Sequence, residues 1–109
     1  MLEPLLESEK KEKILLYIYS HGESYSMEIA KAFGFYLNAV QNQLQKLEYG
    51  GILYSRLKGK VRLFGFNPRC PFRKELESLL DKVLQFIPDE ERKKFYAPRL
   101  RPRRTGKPY

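Results

Sequence analysis

The sequence predicts a mainly α fold carrying one small β-hairpin, an α+β arrangement. Three observations predict it. Apolar residues recur at helical spacing in three successive segments before residue 50. Gly50-Gly51 then breaks the pattern, and two short β-type runs flank Lys58-Gly59-Lys60. After Asn67-Pro68 the helical period returns and carries on to Phe86.

The first helix is expected over residues 8–20. Ser8 is placed to cap a polar first turn, Ile14, Leu15 and Ile18 form the apolar stripe, and His21-Gly22 ends it. A second, short helix is expected to start with Ser26 as N-cap, turning Ile29, Ala30 and Phe33 inward and stopping at Gly34. The third, over residues 37–49, sets Val40, Leu44 and Leu47 on one face and leaves Asn38, Gln41, Asn42, Gln45 and Lys46 outward. Strands are expected over 52–57 and 61–66, with Gly59 supplying the positive φ of a tight turn. Pro71 suits the first position of a longer helix, residues 71–87, whose Phe72, Leu76, Leu79, Val83 and Phe86 recur at steps of four and three. Pro88 ends that helix, and residues 88–109 read as a basic, partly flexible tail, proline-punctuated from Ala97 onward.

The chain of 109 residues has room for one core, so residues 1–87 are expected to form a single domain. Its net charge is +8, and the charge is unevenly placed. Residues 1–50 carry five Lys and Arg against seven Asp and Glu, whereas residues 51–109 carry sixteen against six. A basic excess that begins at the hairpin suits a polyanionic partner, with nucleic acid the commonest. The single cysteine, Cys70, excludes an intrachain disulfide and fits a reducing compartment. No signal-peptide pattern opens the sequence and no stretch is apolar enough for a membrane span, so a cytoplasmic protein without membrane contact is expected.

Three helices, the last two joined by a glycine turn, then a hairpin and a further helix, is the order of a winged helix-turn-helix. In that arrangement the second helix braces the third, and the third offers its free face to a major groove. The stretch "MEIAKAFGFYLNAVQNQLQKLEYGGILYSRLKGKVRLFGFNP", residues 27–68, resembles the winged-helix transcription regulators of the arsenical-resistance-repressor (ArsR) type. It shares their bracing helix, small turn, recognition helix with a Leu-x-x-Leu-Glu-x-x-Gly-like ending, wing strand, basic turn, second strand and Asn-Pro.

The resemblance implies that Leu37, Asn38, Gln41, Asn42 and Gln45 face DNA, with Lys46 beside them in the same helix. Asn and Gln amides can pair with adenine edges, although an exposed amide face can also be merely solvated. The sequence departs from the family where Asn42 replaces a basic residue, Asn38 a hydroxyl residue and Tyr36 a small capping residue. Tyr36 is expected to pack, the alternative being that it lies against the sugar-phosphate backbone. Arg56, Lys58, Lys60 and Arg62 are expected to line the wing against phosphates, and Arg99, Arg101, Arg103 and Arg104 of the tail to track the backbone or a minor groove, with RNA, an acidic protein surface or a purely solubilising role as the tail's alternatives.

In the resembled family the first and last helices build a two-fold dimer, which makes Phe72, Leu76, Leu79, Leu80, Val83 and Phe86 the expected dimerisation residues. The same helix could instead cover Leu5, Leu6 and Leu15 of its own chain. His21 and Cys70 are far apart in sequence and no Cys-x-Cys pair is present, so no metal or other cofactor is expected. Glycine-rich phosphate loops, nucleophile elbows and His-based proton shuttles are missing from the sequence, so catalysis is not expected. The reading is a homodimeric regulator binding double-stranded DNA with helix 37–49 and wing 52–66. The alternatives are a winged-helix module that docks on a protein partner, or a sequence-independent architectural binder of nucleic acid.

Overall fold

The computed structural model describes residues 1–97. Helix α1 (Glu3–Leu6) is a single turn ahead of α2 (Glu9–His21). Strand β1 (Ser24–Tyr25) leads directly into α3 (Ser26–Phe33), and three residues separate α3 from α4 (Leu37–Tyr49). The hairpin is β2 (Leu53–Lys58) and β3 (Val61–Phe66), followed by α5 (Arg73–Gln85). A short α6 (Asp89–Glu91) runs into one wide π-type turn, Arg92–Tyr96.

Helix α2 is the axle of the fold. Ile14, Leu15, Leu16, Tyr17 and Ile18 are buried in succession, because α4, α5, β3 and the π-turn surround the helix rather than lying along one side. Sequence periodicity assigned it an inner stripe of Ile14, Leu15 and Ile18; Leu16 and Tyr17 fill the rest of its circumference. Ser8 caps it as expected, its Oγ accepting the Lys11 amide at 3.0 Å.

The sheet has three strands in the order β1-β3-β2, all antiparallel, where the sequence predicted two. Ser24 and Tyr25 become a strand by pairing with Phe64 and Leu63. That pairing also corrects the start of α3. Tyr25, extended, holds the cap position, Ser26 is already helical, and the buried Ser24 hydroxyl donates to Glu28 Oε1 at 2.7 Å.

In the hairpin Lys58 pairs with Val61, leaving Gly59 and Lys60 as the loop, with Gly59 at φ 64. Gly65 is required by packing instead. It pairs with Tyr54, and a Cβ there would stand 2.8 Å from the Tyr54 hydroxyl and 2.9 Å from ring carbons. The tyrosine ring therefore lies across the glycine.

Helix α5 starts at Arg73 rather than Pro71. Asn67 and Cys70 carbonyls accept the Cys70 and Arg73 amides at 3.0 and 3.1 Å, so the chain turns twice before the helix begins. Leu80 and Val83 of α5 enter the common core with Ile29, Val40, Leu44, Leu53 and Phe64. Losing one such side chain, for example Leu44→Ala, costs about 2–5 kcal/mol.

Residues 89–96, grouped with the tail in the sequence, pack on the domain. Phe95 stacks on Phe33 with ring centroids 4.7 Å apart, and Tyr96 is buried against the core. His21 reinforces the join, its Nε2–H donating to the Phe95 carbonyl at 3.0 Å. Among the described residues no helix is long and apolar enough to cross a membrane.

Candidate nucleic-acid interface

Helix α4 is pinned from one side only. Val40, Leu44 and Leu47 are buried, and the turn before it is filled by Phe35, which stacks on Phe33 at 5.3 Å. Those contacts fix the rotation of the helix about its axis. Asn38, Asn42, Gln45 and Tyr49, one per turn, are consequently exposed in a single ridge. Gln41 and Lys46 flank it and are also exposed.

Two hollows border the ridge. Asn42, Gln45, Lys46 and Tyr49 line the first. Gln41 and Gln45 line the second together with Ser26 of α3 and with Arg62 and Phe64 of β3, so helix and wing share one groove. Arg62 Nη1 donates to the Ser55 hydroxyl at 3.0 Å, and Ser55 in turn donates to Glu48 Oε2 at 2.6 Å.

The four wing cations do not form one row. Paired residues of antiparallel strands share a face, so Arg56 and Lys58 lie on one side with Leu63 and Val61, while Arg62 lies on the other with Leu57. Arg56, expected to meet phosphate, is held by Glu23. Its Nε and Nη2 each donate to the carboxylate at 2.8 Å, and the Tyr54 hydroxyl donates to the same group. The ion pair raises the guanidinium pKa, while burial and then the Glu23 carboxylate raise that of the Tyr54 phenol. Glu23 thus ties the base of the wing to the turn after α2. Lys58 and Lys60, at the tip, are exposed and form no ion pair among the described residues.

Two further expectations are corrected at α4. Leu37 packs partly against the core rather than facing outward. Tyr36, expected to pack, is 86% exposed, because Phe35 takes the apolar position at the turn. Tyr49, unremarked in the sequence reading, is 95% exposed at the other end of the ridge. Arg99, Arg101, Arg103 and Arg104 lie outside the described residues.

Of the six residues expected at a dimer face, Leu80 and Val83 are buried in their own chain's core and Leu76 packs against it. Phe72, Leu79 and Phe86 are exposed. Seven residues apart, they form one apolar line along α5. Leu6 and Leu15 join the chain's own core, whereas Leu5 is exposed. Cys70 is buried, and His21 is committed to the Phe95 carbonyl. The join at Phe95 and Tyr96 was missed because the surrounding charges hide them; an aromatic pair inside "DEERKKFYAP" was the available signal.

No protein-family model matches the sequence, and no curated protein does. Solved structures do match. MepR, a transcription regulator of the Staphylococcus aureus multidrug efflux pump MepA, is 22% identical and aligns over 85% of this chain and 75% of its own, with a TM-score of 0.59. Mb0332 from Mycobacterium bovis aligns over 82% of this chain and 80% of its own, at 22% identity and a TM-score of 0.59. The structure compared there is a homodimeric winged helix-turn-helix DNA-binding domain, of a possible ArsR-family transcriptional regulator. The fold is a winged helix-turn-helix. A double mutant of Lactococcus lactis ZitR, 22% identical, gives a TM-score of 0.55 over 79% of this chain and 66% of its own, so the chain spans just under two thirds of that protein. In winged-helix terms α3 and α4 are the helix-turn-helix pair, β2 and β3 the wing, and β1 the strand that closes the sheet.

Proposed function

We propose that this chain is a DNA-binding transcription regulator of the ArsR-like kind, acting as a homodimer. One observation carries the reading: α4 is anchored by its apolar face and turns an uncharged amide ridge outward, beside a wing whose tip lysines have no acidic partner among the described residues. A helix so mounted fits a major groove. The lysines then supply sequence-independent attraction to phosphate.

In this reading Asn38, Gln41, Asn42 and Gln45 contact base edges, while Lys46, Lys58, Lys60 and Arg62 contact the backbone. Arg56 serves the wing's structure first, and Arg99, Arg101, Arg103 and Arg104 add affinity from the tail. The line Phe72, Leu79, Phe86 pairs with its copy across a two-fold axis, which presents two α4 helices to half-sites about one turn of DNA apart. Occlusion or bending of a promoter follows from occupancy.

The test is affinity selection from random duplexes, using the full chain and a version ending at Ala97, which retains Phe95 and Tyr96. Enrichment of an inverted repeat by both versions is the expected result, with weaker binding by the shorter one. Duplex binding that enriches no sequence contradicts the reading and favours architectural binding. A second reading, docking on a protein partner, draws on the nearly full exposure of Tyr36 and Tyr49. It predicts no duplex binding, and a partner affinity that hardly responds to salt.

A further inference from the structure

The chemistry along the α4 ridge is narrower than a nucleic-acid interface requires. A planar amide presents a donor and an acceptor side by side, the complement of adenine N6–H and N7 in the major groove. Guanine presents two acceptors there, N7 and O6, which call for two donors from one cation. The ridge and its near flank offer four exposed amides, Asn38, Gln41, Asn42 and Gln45.

Arginine, the usual reader of guanine, is absent from the sequence before residue 56. Arg56 itself has Nε and Nη2 turned onto Glu23. Two other cations border the ridge. Lys46 stands on the outer flank in the last turn of α4, and Arg62 stands on the wing with Nη1 on Ser55. Tyr36 lies just before the helix and Tyr49 at its last residue, and their exposed rings offer apolar surface of the kind that meets a thymine methyl.

We propose that α4 reads adenine–thymine pairs, and that guanine is not read beneath it. Given the docking of α4 proposed above, on which this rests, the amides take adenine edges, the tyrosine rings take thymine methyls, and Lys46 and Arg62 take phosphates. The preferred duplex therefore has A·T pairs at its major-groove contact positions.

The test uses the duplex that the full chain selects, remade in two forms. One carries 7-deazaadenine for adenine and the other 7-deazaguanine for guanine; each loses the N7 acceptor and keeps its base pairing. The adenine form is expected to bind at least about fivefold more weakly, the lower end of what one bidentate pair discriminates. The guanine form is expected to stay within twofold of the parent. Loss confined to the guanine form overturns the proposal while leaving the DNA-reading function standing, as does equal binding of both forms. Failure of the chain to bind any duplex overturns the function as well. A second variant, Asn42→Arg, at an exposed position, is put through the same duplex selection; it is expected to select guanine at a contact position and so to acquire sensitivity to 7-deazaguanine on that newly selected duplex. If it acquires none, residue 42 does not face a base edge and the proposal falls.

Discussion

The outer face of α4 and the wing border one groove, yet their side chains differ in kind. The helix presents neutral amides whose positions are set by the buried Val40, Leu44 and Leu47. The wing presents charge, and the structure sorts that charge by height. Midway along it Arg56 is neutralised by Glu23, whereas at its tip Lys58 and Lys60 are exposed without acidic partners among the described residues. The difference separates two tasks. Directional hydrogen-bonding groups on a rigid helix discriminate among base edges, while point charges on a hairpin tip attract any phosphate backbone. A basic sequence run alone would have merged the two.

Removing the tip charges breaks the comparison most strongly. Lys58→Ala with Lys60→Ala should weaken binding to every duplex by at least some tens of fold at about 0.1 M salt, and lower the steepness of log K against log salt by about four, close to one unit for each phosphate contact of the two lysines on both protomers of the proposed dimer. Titrations by fluorescence anisotropy at several salt concentrations read both quantities. An unchanged slope would remove the wing from the interface.

Gly65→Ala tests how the wing is held. The added methyl meets the Tyr54 ring at 2.9 Å, so the ring must leave its bond to Glu23 or the strand must shift, at a cost of about 1–3 kcal/mol. Thermal denaturation should show the loss, and adding Tyr54→Ala should recover part of it. A full-strength Gly65→Ala protein would mean that the ring does not lie across the glycine.

Glu23→Gln sharpens the comparison with a smaller effect. Arg56 is half-exposed, so losing the ion pair should change stability little. Freed of its counter-charge, Arg56 should behave more like Lys58, on the same face of the hairpin, and raise affinity for DNA severalfold at low salt. Unaltered affinity in Glu23→Gln would place that face of the wing away from the phosphates.

The features legible in the sequence are those fixed by near neighbours. The spacing of Val40, Leu44 and Leu47 orients α4 whatever surrounds it, and Gly59 marks the hairpin turn by its own conformational freedom. What escaped depends on distant partners. Ser24 and Tyr25 carry no strand pattern of their own, and become β1 only against Phe64 and Leu63. Arg56 reads as a wing cation until Glu23, thirty-three residues earlier, is seen to hold it. Tyr36 is displaced outward because Phe35 competes for the same apolar site, and sequence spacing does not decide between adjacent aromatics. The burial of Tyr96 likewise depends on a core assembled from residues far back in the chain.

The division of labour between helix and wing is tested most directly by one set of titrations. The selected duplex and a scrambled duplex of equal length would each be bound by the parent protein, by Asn42→Ala with Gln45→Ala, and by Lys58→Ala with Lys60→Ala. The helix variant should lose affinity for the selected duplex alone, and the wing variant should lose it on both by a similar factor. A helix variant weakened equally on both duplexes, or a wing variant weakened only on the selected one, would contradict the account.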